Sequence, residues 1–177
     1  MFRRRTFLLA MGLNMTLNRS GAARPVAPVR PGEIAVTDEG SGTRFWLDIS
    51  DDGILKGQFA APASGWLAVG FARQAELAGT RFLIAALDGS ETRWEEHIAC
   101  PPEHRPLAEW SAMPLFTQAA IRPDRGQVLD FALIRRVGAP HALDLSSGRT
   151  AGLMLAYAND PDFAHHSAWR RHFSITL

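Results

Sequence analysis

Gly65-Trp66-Leu67-Ala68-Val69-Gly70-Phe71 and Arg81-Phe82-Leu83-Ile84-Ala85-Ala86-Leu87 are two short apolar runs, separated by a stretch that holds Arg73, Gln74, Glu76, Gly79 and Thr80. Runs of this length bounded by glycine and polar residues read as strands, because a buried helix needs a longer apolar segment. In an extended backbone successive side chains face opposite ways, so Trp66, Ala68 and Gly70 share one face while Leu67, Val69 and Phe71 share the other. One set fills a core. The other is either packed as well or forms the wall of a pocket.

Working outward, the same short pattern recurs at 44–49, 54–59, 93–98, 128–134, 152–158 and 173–177. Between the first two lies Asp51-Asp52-Gly53. Asp-Gly accepts the positive φ of a tight turn, so those two strands pair as a hairpin. No long helical period separates the runs, and one short helical turn is expected at 74–77. The pattern predicts an all-β chain folded as an immunoglobulin-like antiparallel β-sandwich of about 8–11 strands rather than an alternating α/β fold.

The chain opens with Met1-Phe2-Arg3-Arg4-Arg5-Thr6-Phe7-Leu8-Leu9 and stays apolar to Leu17. That order of cationic start and short apolar run is the layout of a secretory signal, too short to span a bilayer. Arg4-Arg5-Thr6-Phe7-Leu8 fits the twin-arginine pattern. Small residues follow at Gly21-Ala22-Ala23, so residues 1–23 are read as a removable twin-arginine signal with cleavage before Arg24. Pro25, Pro28 and Pro31 then mark 24–32 as an extended linker, and 33–177 as the folded domain. No later segment reaches the length of a membrane helix, so the expected location is the periplasm, with nothing spanning the membrane after cleavage.

The formal net charge is +1, and Arg3, Arg4, Arg5 and Arg19 all lie in the signal. The remainder lacks the concentrated basic surface that nucleic acid requires. A single cysteine, Cys100, allows no internal disulfide. Stability therefore rests on the core or on a bound cofactor. No Gly-x-Ser-x-Gly elbow or other nucleophile setting occurs, so no enzymatic constellation is read from the residues.

The strand at 65–71 followed by Glu76-Leu77-Ala78-Gly79-Thr80-Arg81-Phe82-Leu83-Ile84-Ala85 resembles the signature of DOMON domains. These are exported β-sandwich modules related to the cytochrome domain of cellobiose dehydrogenase. The run Leu155-Ala156-Tyr157-Ala158-Asn159-Asp160, then Asp162-Phe163, His165-His166-Ser167 and an apolar strand to Leu177, is similar to the end of that family. The resemblance spans 45–177. Family members hold b-type haem, or sugars and other small ligands, so it implies a ligand-holding sandwich.

In the haem-binding members the iron lies between a methionine just after the Gly-Trp strand and a histidine near the C-terminus. The histidine position corresponds to His166, with His165 as the alternative shifted by one residue. The methionine position falls on Leu77, and a leucine cannot ligate iron. Three alternatives follow: a five-coordinate haem b on His166, a different sixth ligand, or no haem. Met113 and Met154 lie away from the family position. His97 or His104 can stand in only if the sandwich brings 93–104 over the same pocket. The implied function is electron transfer or redox sensing with a periplasmic or membrane redox protein as partner. The alternatives are a haem-free module for a sugar or other small ligand, and an accessory subunit of a larger oxidoreductase.

Other residues carry two readings each. Trp66 is either core or pocket wall. Arg81 could grip a ligand's carboxylates, such as haem propionates, through its planar fork, or form a structural ion pair with Glu76 or Asp88. Glu95-Glu96-His97 with Glu103-His104 has the residue types of a metal site, but not a known zinc spacing. Trp169-Arg170-Arg171-His172 reads as a solvated loop or as a docking surface for a redox partner. If the leader uses the twin-arginine route, replacing Arg4 and Arg5 with lysine abolishes export. Continued recovery from a periplasmic extract would exclude that route.

Overall fold

In the computed structural model, residues 24–26, 32–51 and 53–177 are described; the leader at 1–23 and most of the proline-rich segment lie outside them. The strands in chain order are β1 (Arg24–Val26), β2 (Glu33–Asp38), β3 (Thr43–Asp48), β4 (Ile54–Ala61), β5 (Leu67–Ala72), β6 (Arg81–Asp88) and β7 (Glu91–Cys100). They continue with β8 (Glu103–Pro106), β9 (Phe116–Asp124), β10 (Gly126–Ile134), β11 (Arg136–Val137), β12 (Leu143–Asp144), β13 (Thr150–Tyr157) and β14 (Trp169–Thr176). A seven-stranded sheet runs β1-β14-β13-β5-β6-β7-β8, a five-stranded sheet runs β2-β3-β4-β10-β9, and β11 and β12 form a small ribbon. Every pairing is antiparallel except β1 with β14. The expected all-β sandwich is the fold.

The two sheets meet through the alternation that the sequence displays. Leu67, Val69 and Phe71 of β5 join Leu83 of β6 and Leu153 and Leu155 of β13, and pack against Phe45, Leu47, Phe59, Leu129 and Phe131 from the five-stranded sheet. The hairpin at Asp51 pairs β3 with β4 as expected. Its carboxylate accepts the backbone N–H of Gly53 at 2.7 Å and of Ile54 at 3.2 Å, and these two bonds hold it below the ordinary aspartate range. Arg135, 6% exposed, pins the same turn by donating to the carbonyls of Ile49 and Asp51, and reaches Leu145 as well.

The structure departs from the sequence reading in several places. Arg24–Val26, read as the start of a linker, pairs with β14. β8 and β9 give little apolar alternation because both are sheet edges with mostly exposed side chains, and Pro123 in β9 is tolerated at such an edge. Residues 74–77 make no helical turn. Two of their carbonyls are claimed by Thr80, whose Oγ1 donates to Glu76 at 2.7 Å and whose N–H donates to Leu77 at 3.0 Å. Among the described residues, the short helix that does form is a 3-10 turn at Leu107–Trp110.

Arg81 is the main correction. It points into the core and pairs with neither Glu76 nor Asp88. Its Nε and Nη2 donate to Glu96 Oε1 at 2.9 and 2.6 Å, with the two residues 1% and 6% exposed. Nη2 also reaches the Met113 carbonyl, while Glu96 Oε2 accepts the N–H groups of Leu115 at 2.8 Å and Phe116 at 3.1 Å. A cation committed in this way has no fork left for a ligand. The pair instead fixes the entrance to β9 against β7. Removing one member of a buried, hydrogen-bonded pair costs about 3–5 kcal/mol, because the other charge stays buried alone. Glu96→Ala is therefore expected to lose that much stability in chemical denaturation. The double variant Arg81→Met/Glu96→Leu should recover only part, since the Leu115 and Phe116 N–H groups remain unpaired.

Candidate functional site

The outer face of the seven-stranded sheet is apolar too. Trp66, Ala68, Phe82, Ile84, Met154 and Ala156, whose side chains lie opposite the main core, form a second buried cluster with Ala99, Ala158 and Phe163. Over them lies a cavity of about 430 Å³, walled on one side by Leu77, on another by Phe163 to Ser167, and closed at its edge by His97, Pro102, Glu103 and His104. That volume is within the range of small-molecule and cofactor sites, which are largely apolar with a few polar groups at defined places. Alanines at 68, 99 and 156 leave the room. Trp66 is 5% exposed, and its buried Nε1 has no hydrogen-bond partner among the described residues. Buried N–H groups are normally paired, so this one is a donor in want of an acceptor.

Both walls rest on glycine. A Cβ at Gly152 would stand 2.0 Å from the Gln74 carbonyl oxygen, so the segment carrying Leu77 lies flat on β13 because nothing projects there. A Cβ at Gly65 would stand 2.3 Å from the backbone of Asp160, where the histidine-bearing segment leaves the sheet. That segment is then wound by its own aspartates. Asp160 Oδ1 accepts the Asp162 N–H at 2.8 Å, Asp162 Oδ1 accepts that of Ala164 at 3.0 Å, and Ala168 N–H closes the loop on Tyr157 at 2.8 Å. Arg93 clamps it from β7, donating to the Pro161 carbonyl at 2.9 Å with its guanidinium 4.1 Å above the Phe163 ring centre.

The four histidines of the cavity are held differently. His165 is exposed, and its Nδ1 lies 3.6 Å from Asp160 Oδ1. His166 lines the cavity with no side-chain hydrogen bond among the described residues, so its ring nitrogens are available. His97, 5% exposed, packs on Phe82 with ring centres 5.6 Å apart. Its Nε2 is 2.9 Å from Glu95 Oε2 and its Nδ1 is 2.9 Å from His104 Nδ1. Partial burial holds the His104 imidazole below its ordinary range; the neighbouring His97 and His166 act in the same direction, and Glu95 opposes it. This direction favours the neutral imidazole, the form that ligates metals.

Of the residues singled out in the sequence, His165, His166, Leu77, Trp66, His97 and His104 all converge on this cavity, and Arg81 does not. The condition set for His97 and His104 is met, because β7 and β8 close the cavity edge. His97 itself cannot serve as an iron ligand here, since both ring nitrogens are engaged. The Glu95, Glu96, His97, Glu103 and His104 patch is divided between the two faces of β7, and among the described residues no group of three or more metal-ligating side chains forms. Met154 and Arg170 were missed as lining residues. The alternation of β13 places Met154 beside Ala156, but nothing in the sequence says that the outer face holds a cavity.

Because Gly65 seats the histidine segment, Gly65→Ala is expected to cost about 1–3 kcal/mol through forced backbone movement. Hydrogen exchange should then quicken selectively across 159–167. Unchanged protection there would mean the segment is not seated on that glycine.

No protein-family model matches the sequence, and no curated protein is similar to it in sequence. Among solved structures, the chain is similar to the cytochrome b domain of pyranose dehydrogenase from Coprinopsis cinerea, with a TM-score of 0.54 and 13% identity over 80% of each chain. At that identity the likeness establishes a shared sandwich fold.

Proposed function

We propose that this chain is an exported, DOMON-like domain that holds a b-type haem in the outer-face cavity, with His166 on the iron, and passes electrons to a periplasmic or membrane redox protein. One observation carries the reading: an apolar cavity with an uncommitted His166 at its rim lies on a sandwich whose fold is shared with a cytochrome b domain. The residues fit such a group. Trp66, Phe82, Ile84 and Met154 would face the ring, Arg170 at the mouth would meet its carboxylates in place of Arg81, and Trp66 Nε1 lacks an acceptor. When bound, haem supplies one-electron chemistry, and the protein supplies axial ligation, burial and orientation. Arg170 is exposed at the cavity mouth and gives a cationic point on which an acidic partner could dock.

A second reading rests on Leu77. It lines the cavity where the haem-binding pattern has a methionine, which favours a haem-free pocket for a sugar or other small ligand. Titrating haemin into the purified full chain separates the two. The expected result is a Soret band that saturates near one haem per chain and falls at least tenfold in affinity in His166→Ala. A folded wild-type protein that develops no such band would leave the haem-free pocket in its place.

A further inference from the structure

Resting on the haem reading, we infer that His104 would be the second protein ligand to the iron, offered through Nε2 and held in that tautomer by a Glu95–His97 relay. A carboxylate only accepts, so the 2.9 Å contact between His97 Nε2 and Glu95 Oε2 places the His97 proton on Nε2. In a neutral ring that leaves His97 Nδ1 as an acceptor. The 2.9 Å contact with His104 Nδ1 must then be donated by His104. With its proton on Nδ1, neutral His104 carries a lone pair on Nε2, and that nitrogen has no partner among the described residues.

Position agrees with polarity. Antiparallel pairing of β7 and β8 sets His104 opposite Ala99, so His104 shares the outer face with His97 and Ala99, over the cavity that His166 also lines. The Phe82 ring fixes both imidazoles, lying 5.6 Å from His97 face to face and 5.3 Å from His104 edge-on. A ligating histidine whose other nitrogen donates to an anchored acceptor is the usual arrangement in metal sites, and loss of that outer partner weakens binding by about 10–100-fold. His97 and Glu95 are thus positioning residues. Leu77 need not be a methionine because the ligand comes from the β7–β8 edge.

Two measurements on the full chain test this. In the cofactor-free protein, nitrogen-15 NMR of the imidazoles should find His104 protonated on Nδ1 and bare on Nε2; a proton on Nε2 overturns the relay whether or not haem binds. In the haemin-loaded protein, the ferric form should be six-coordinate and low-spin with the electron paramagnetic resonance of two nitrogen ligands. His104→Phe should become five-coordinate and high-spin, His104→Met should restore six-coordination at a higher reduction potential, and His97→Asn should lose about tenfold in haem affinity while staying six-coordinate. A Soret band with an unchanged low-spin spectrum in His104→Phe, or a five-coordinate wild type, overturns His104 while the haem reading stands. No Soret band in wild type removes both.

Discussion

Strands β5, β6 and β13 are apolar on both faces, and this constraint organises the rest of the molecule. Their inward side chains make the interface with the five-stranded sheet, as in any sandwich. Their outward side chains, Trp66, Ala68, Phe82, Ile84, Met154 and Ala156, make a second apolar surface that water cannot be left to cover. Two loops and the β7–β8 edge lie over that surface and leave a cavity between them. The site is therefore a consequence of how the sheet is composed, and the small residues in its floor decide how deep it is.

Polar residues are sorted by the same two-residue period. On β7, Glu96 points inward and holds Arg81 and the entrance to β9, while Glu95 and His97 point outward and engage His104. One tripeptide thus serves two unrelated environments. Inside, a charge pair is tolerated because both Glu96 oxygens accept hydrogen bonds and the guanidinium also reaches the Met113 and His141 carbonyls. Outside, a chain of hydrogen bonds runs from a half-exposed carboxylate to a ring nitrogen at the cavity edge. The two do not share a partner, although they are adjacent in the chain.

The cavity walls depend on what is missing from two positions. Gly65 and Gly152 let backbone lie directly on backbone, so the segments bearing His166 and Leu77 sit low over the outer face. Arg93 and the two aspartates then fix the course of the histidine segment without using His166 itself. Among the described residues, no helix is long and apolar enough to cross a membrane.

The sequence by itself determined the central strands of both sheets, the Asp51 hairpin and the sandwich, because these follow from local alternation and turn chemistry that each segment carries alone, whereas β2 and the edge strands β1, β8 and β9 did not show in it. It also held enough family resemblance to bring His165, His166, Leu77 and Trp66 together as candidates, and they do share one cavity. Tertiary structure decided what each side chain is free to do. Arg81 met Glu96 across a strand pairing and was lost to the core, His165 was drawn to Asp160, and His97 was bonded at both nitrogens while His104 Nε2 and the His166 ring were left open. Those outcomes rest on contacts between residues brought together by pairing register and loop closure. Periodicity says which face a side chain takes, but a hydrogen-bond partner on another strand is known only when the strands are in place.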